Sequence, residues 1–190
     1  MEGLLEWDIA LFLWLNSLGS VSFDPFWMLM THRGSNFVIY FILWVLYGFL
    51  SSWKKAGSLL LVTALLILCT DQLTNLFKIQ IGRVRPCYDE NIQHLVRLVK
   101  PSCGGRYSFF SGHASNSFAL AVFFGALFKP YEKRIALLLL GLAFLIAYSR
   151  VYIGVHFPLD IVVGALVGSF MGAIFYNLWL RFNPYFLSQT

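Results

Sequence analysis

Three short clusters concentrate the reactive side chains of this 190-residue chain. The first is Lys78-Ile79-Gln80-Ile81-Gly82-Arg83-Val84-Arg85-Pro86, the second Ser111-Gly112-His113, and the third Ser149-Arg150 followed by His156 and Asp160. Lys78, Arg85 and Arg150 are donors without acceptors. A guanidinium matches phosphate oxygens in bidentate fashion, and an ammonium adds a point charge. Three such groups at one place repel each other unless an anion sits between them. Ser111 stands just before an apolar run, a good N-cap position. The free backbone N–H groups there, with the helix dipole, make an anion site. Gly112 lets the anion approach closely.

His156 and Asp160 are four apart and fall on one helical face, within hydrogen-bond reach. A carboxylate on one imidazole nitrogen fixes the tautomer and leaves the other nitrogen as nucleophile, and it stabilises the cation that forms. His113 beside the anion cradle can protonate a leaving oxygen. The chemistry expected is in-line phosphoryl transfer through a covalent phosphohistidine, driven by positioning and charge stabilisation. Taken singly, Arg-Pro or Ser-Gly-His is ordinary loop chemistry, and His156–Asp160 is a structural hydrogen bond. A zinc site from His113, His156 and Asp160 is disfavoured by the adjacent cations and the ligand spacing, so no metal and no cofactor is expected.

Together, Lys78-x6-Arg85-Pro86, Ser111-Gly112-His113 and Ser149-Arg150-x5-His156-x3-Asp160 resemble the tripartite signature of the type 2 phosphatidic acid phosphatase superfamily, integral-membrane lipid phosphate phosphatases. The resemblance covers roughly residues 56–175. It implies a membrane helix bundle, an active site at the outer interface and metal-independent dephosphorylation. It makes His156 the nucleophile, Asp160 its orienter and His113 the general acid. Lys78, Arg85, Ser111, Gly112 and Arg150 would bind phosphate. Phe110 departs from the pattern, which usually has proline there.

The elements that must position these residues follow from composition. The chain is 58% hydrophobic and 12% charged, against roughly 25% charged in a soluble domain. Its charged side chains are too few to cover a soluble surface or to keep the chain disordered. The expected class is all-α, a polytopic membrane bundle in a single domain over 1–190. About five spans are read at 34–53, 56–77, 111–128, 135–149 and 158–180, each near the ~20 residues a bilayer requires. Arg134 and Arg150 flank the fourth, where they can snorkel. Residues 1–33 are read as interfacial helices, one over 4–17 interrupted by Glu6, Asp8 and Asn16, another near 23–31; a true extra span is the alternative. Residues 78–110 form the outer active-site loop. With no basic run after Met1 and with Glu6 and Asp8 nearby, no cleavable signal is expected.

Alternation puts the 51–56 and 129–134 loops and the C-terminal tail on one side, and the 78–110 and 149–157 segments with the N-terminus on the other. The short, acid-poor loops of the first side, with Lys54, Lys55, Lys129, Lys133 and Arg134, mark the cytoplasm. The site then faces the periplasm or outside of a bacterial inner membrane. Asp71, Asn75 and Lys78 share a face of the second span. Asp71 is read as a support that pairs with a basic residue and orients the Lys78 end; Arg83 is a second support. His113, Asn116 and Ser117 form a polar strip on the third span, where Asn116 makes an interhelical hydrogen bond. Cys87 and Cys103, in an oxidising compartment, would close a loop of about 17 residues with a disulfide contributing about 3 kcal/mol; two free thiols are the alternative. Arg97, Lys100 and Arg106 bind lipid headgroups or a second phosphate, or form a solvated basic loop.

The net charge of +5 suits phosphate or anionic lipid and no nucleic acid is expected as partner. The activity expected is removal of a terminal phosphate from a lipid phosphate or pyrophosphate. Polyprenyl pyrophosphate is favoured, because the loop is basic, with phosphatidylglycerophosphate and lipid A phosphate as rivals. A related enzyme would pass the phosphoryl group to a lipid acceptor. A non-catalytic anion binder or transporter is the reading from another class, and it leaves His113 and the His156/Asp160 pair unexplained. Oligomeric state is not legible in the sequence.

Overall fold

The computed structural model describes residues 2–182. The distal C-terminal tail, expected on the first side, lies outside them. Seven α-helices carry the fold: α1 Glu2–Ser17, α2 Asp24–Thr31, α3 Arg33–Leu50, α4 Trp53–Ile81, α5 Gly112–Phe128, α6 Arg134–Tyr152 and α7 Pro158–Phe182. Among the described residues there is no strand, only an isolated bridge between Val84 and Tyr107. Three helices, α4, α6 and α7, are long and apolar enough to cross a membrane; α3 and α5 are shorter apolar helices.

Two element boundaries differ from the sequence expectation, and both move a site residue onto a helix. α4 runs on to Ile81 and stops where Gly82 takes φ 64°, a left-handed conformation that glycine adopts without steric cost. Lys78 therefore sits on the last turn of a rigid helix, and the loop begins at Gly82 rather than Lys78. α6 likewise continues to Tyr152, so Arg150 does not snorkel to an interface. It is buried, 4% exposed, and its guanidinium donates to the Thr31 hydroxyl at the end of α2.

The N-terminal segment is docked on the bundle. Its two helical pieces are bent by 86° to each other and pack onto α6 and α7. Phe12 is fully buried with its ring 5.3 Å from that of Phe157. The Asn16 amide donates to the carbonyls of Arg97, Val151 and Tyr152 and accepts from the Arg97 N–H at 2.7 Å. One side chain thereby satisfies several buried backbone groups that would each cost free energy unpaired.

α5 is the central helix, with α4, α6 and α7 around it. A row of small residues on α7 sets its closest approach. A Cβ built on Gly164, Gly168 or Gly172 would fall 2.6, 2.1 or 2.4 Å from the carbonyl oxygens of Ser111, Ser115 and Ala119. Only hydrogen fits there, and in an apolar medium such backbone contact is a main source of helix association. This contact brings the first turns of α5 and α7 side by side, with the Ser111 N–H donating to the Asp160 carbonyl at 2.9 Å.

Candidate active site

The three sequence clusters converge at the end of the bundle where α5 and α7 begin and α4 and α6 end. Lys78, Arg85, Gly112, His113, Arg150 and His156 line one cavity of about 980 Å³. Ser111 and Asp160 lie behind its wall, both fully buried. Ser111 caps α5, its hydroxyl facing the Ala114 N–H at 3.5 Å. The first-turn N–H groups of α5 thus open at the cavity beside Gly112.

Arg85 is held from its back. Its Nε and Nη1 donate to the carbonyls of Tyr107 and Cys103 at 3.2 and 2.5 Å. The Arg85 N–H also bonds the Arg106 carbonyl. Cys87 and Cys103 form a disulfide with Cα atoms 6.1 Å apart, closing the loop that supplies these carbonyls. Arg97, read as a lipid- or phosphate-binding residue or part of a solvated basic loop, turns one nitrogen, Nη2, to both carboxylate oxygens of Asp24 at 2.7 Å and ties the loop to α2.

The nucleophile candidate sits in the turn before α7. His156 Nδ1 lies 3.2 Å from Asp160 Oδ2, with the side chains 2% and 0% exposed. The same carboxylate oxygen accepts the Phe157 N–H at 3.0 Å, half of a capping box at the helix start. Contacts local to the start of α7 thus hold the orienting carboxylate. Burial first, and then the charges of Arg150, Arg85 and Lys78, push the His156 imidazole well below the usual histidine range. Both effects favour the neutral ring, whose lone pair is what a nucleophile requires.

Asp160 has a second ligand that composition alone did not reveal as a network. Its Oδ1 accepts from Arg83 Nη1 at 3.0 Å, while Arg83 Nη2 donates to Asp8 Oδ2 at 2.6 Å. The guanidinium stacks 3.9 Å above the Phe157 ring. Asp8 is fully buried, and its other oxygen accepts the Leu159 N–H at 2.9 Å. A carboxylate on α1 thus caps α7 from outside the helix and fixes the arginine behind the catalytic pair. The sequence reading treated Asp8 as an interruption of an amphipathic helix. Its signal was present, since a carboxylate in an apolar helix needs a partner. The partner lies too far along the chain for spacing to name it.

Asp71 also departs from expectation. Among the described residues it makes no salt bridge; it accepts from Asn116 Nδ2 at 2.8 Å. It lines the same cavity below Lys78, where the wall is formed by α3 and α4.

The three motifs at one cavity match what the comparisons find. The PAP2 superfamily model matches residues 55–184. The chain belongs to that superfamily. It is 36% identical to a "Lipid A 4'-phosphatase" of Bacteroides thetaiotaomicron, over all of this chain and 84% of that protein. It is 34% identical to a "Lipid A 4'-phosphatase" of Porphyromonas gingivalis, over 95% of this chain and 76% of that one. Its fold is similar to the crystal structure of a transmembrane PAP2-type phosphatidylglycerolphosphate phosphatase from Bacillus subtilis, with TM-score 0.74, 20% identity, and coverage of 97% and 88%. The PAP2 chain described here is a lipid phosphatase and an integral membrane protein.

Proposed function

We propose that this PAP2 protein hydrolyses a phosphate monoester on a lipid A-type glycolipid through a phosphohistidine at His156. The observation that carries the mechanism is the buried His156–Asp160 contact at 3.2 Å, opening on a cavity ringed by Lys78, Arg85 and Arg150. The His156 Nε2 lone pair forms a bond to phosphorus as the ester P–O bond breaks. His113 gives a proton to the departing sugar oxygen. Asp160 stabilises the imidazolium that forms, and the three cations with the α5 N–H groups hold the equatorial oxygens. Water then attacks the phosphohistidine, giving up a proton to His113 and releasing inorganic phosphate with His156 restored.

The glycolipid is preferred over polyprenyl pyrophosphate, the choice the basic loop alone suggested. Arg97 is neutralised by Asp24, so the loop's charge is not all available to a second phosphate. Two relatives similar along nearly the whole chain carry the lipid A name. The site would face the side of the membrane opposite the Lys54–Lys55 and Lys129–Arg134 loops.

The test is phosphate release from a panel of lipid phosphates by purified protein in detergent, with and without chelator. Release from phosphorylated lipid A, unaffected by chelator, is expected, and His156→Ala should reduce it by more than about 1,000-fold. Turnover retained in that variant would remove His156 from its role. Transfer of the phosphoryl group to an added lipid alcohol would make the protein a phosphotransferase.

A further inference from the structure

Below the phosphate-binding cations the cavity continues between α3, α4 and α5. Phe37, Tyr40, Phe41 and Trp44 form its α3 wall, and Leu60 and Ile67 its lower α4 wall. This half is apolar and suits hydrocarbon. Between the two halves stands Asp71, on the same face of α4 as Lys78 and two helical turns below it, about 10 Å along the axis.

A carboxylate on a membrane span is costly and is kept where something uses it. A structural use would consume its acceptor capacity, since an ionised carboxylate offers about four lone-pair positions. Among the described residues Asp71 takes one hydrogen bond, from Asn116 Nδ2 at 2.8 Å. Asn116 also contacts the Thr70 hydroxyl, 2.5 Å from its Oδ1, a hydroxyl that faces the Leu66 and Ile67 carbonyls as well. The amide nitrogen points at Asp71, because a carboxylate acceptor requires a donor there. The arrangement fixes the carboxylate from one side and leaves its remaining acceptor positions at the cavity, where Asn75 also lines the wall.

The geometry points to a donor-reading subsite: we infer that Asp71, clamped by Asn116, accepts a hydrogen bond from an amide N–H or a hydroxyl where the acyl chains of the substrate join its head group. This deepens the glycolipid phosphatase reading and rests on it. With the phosphate held at Lys78, Arg85 and Arg150 and the apolar wall on the other side, Asp71 lines the cavity where head group gives way to chains. An N-acylated or hydroxyacylated lipid presents N–H or O–H there. A polyprenyl phosphate presents only C–H, and a diacylglycerol phosphate presents ester oxygens, which a carboxylate repels. The subsite thus selects by chemistry at the root of the tails, away from the phosphate that all these lipids share.

The experiment compares two lipid monophosphates of matched chain length, one with an N–H amide and hydroxyl (an N-acyl sphingoid phosphate) and one with esters only (phosphatidate). For Asp71→Asn, the ratio of kcat/KM for the amide lipid to that for the ester lipid should fall about ten-fold or more, the worth of a hydrogen bond to a charged group. The loss should appear in KM. Asp71→Glu should retain part of the preference. An unchanged ratio, with both substrates slowed equally, would make Asp71 a structural residue and overturn the inference. A second measurement needs no variant: N-methylation of the substrate amide in an N-acyl lipid phosphate lacking the hydroxyl should lower kcat/KM for the wild-type protein by a similar factor. No change there overturns the inference even if Asp71→Asn does not fold. A wild-type protein that releases phosphate from neither lipid nor from lipid A defeats the broader reading instead, so the two failures are told apart.

Discussion

Two carboxylates in this molecule live by opposite rules. Asp160 is fully buried, and its oxygens are taken by Arg83, His156 and the Phe157 N–H. Asp71 stands on an exposed face of α4 and takes one hydrogen bond from Asn116. The first is over-determined and holds one geometry, as the chemical step demands. The second is fixed on one side only, as expected of a group that meets lipids of varying shape. On the readings proposed above, the phosphate end of the cavity is built for accuracy and the tail end for choice.

The comparison breaks most sharply at Asp160. Asp160→Asn should keep the capping contact to Phe157 but lose the charge that stabilises the imidazolium. We expect kcat to fall by about 1,000-fold or more, measured as phosphate release under saturating lipid. A fall under ten-fold would place Asp160 with the structural carboxylates.

Asp8 should give a smaller effect of the same kind. It touches no substrate and acts through Arg83, so it is a positioning residue. Asp8→Asn should lower kcat about ten-fold with KM unchanged, the scale of a lost hydrogen bond between charged groups. Asp8→Glu should recover part of it. A rise in KM with kcat intact would mean that Asp8 shapes the binding cavity rather than the catalytic pair.

The smallest expected effect is on pH dependence. His156 is held below the usual histidine value of about 6.5. Burial and nearby cations both disfavour its protonated form, so the acid limb of kcat/KM assigned to this residue should lie below pH 6.5. Removing one cation relieves part of that repulsion. Arg85→Ala should therefore move the limb upward, toward the ordinary value, while lowering kcat/KM throughout. The substrate's own titration is common to both profiles and cancels in the comparison. A limb that stays in place or moves down would exclude this electrostatic account.

The arrangement of the half proposed for catalysis was largely legible in the sequence because its logic is local. Ser111 caps the helix it precedes, and His156 and Asp160 are one helical turn apart, so spacing alone relates them. The helical class followed from the scarcity of charge. What spacing could not reach were contacts made across the fold. Arg150 ends buried against Thr31, 119 residues earlier in the chain, instead of reaching for an interface. Asp71 finds Asn116 in place of a cation, because α4 and α5 lie side by side while Lys78 points on toward the phosphate end. Lys78 itself was assigned to a loop, since a lysine after an apolar run resembles a span boundary. The helix stops only where Gly82 turns left-handed. The Gly164, Gly168 and Gly172 row was present at helical spacing, yet its use depends on the partner backbone that no single sequence displays.

The Asp8 contact to the Leu159 N–H spans 151 positions, and this has a consequence for biosynthesis. α1 leaves the ribosome long before α7, so the Asp8 oxygen that meets the Leu159 N–H waits for α7 to arrive. Until α7 emerges there is no His156–Asp160 pair, and Arg83 can meet Asp8 but not Asp160. A chain inserted short of α7 therefore lacks the pair proposed for catalysis, and the network behind it is complete only when α1 and α7 meet.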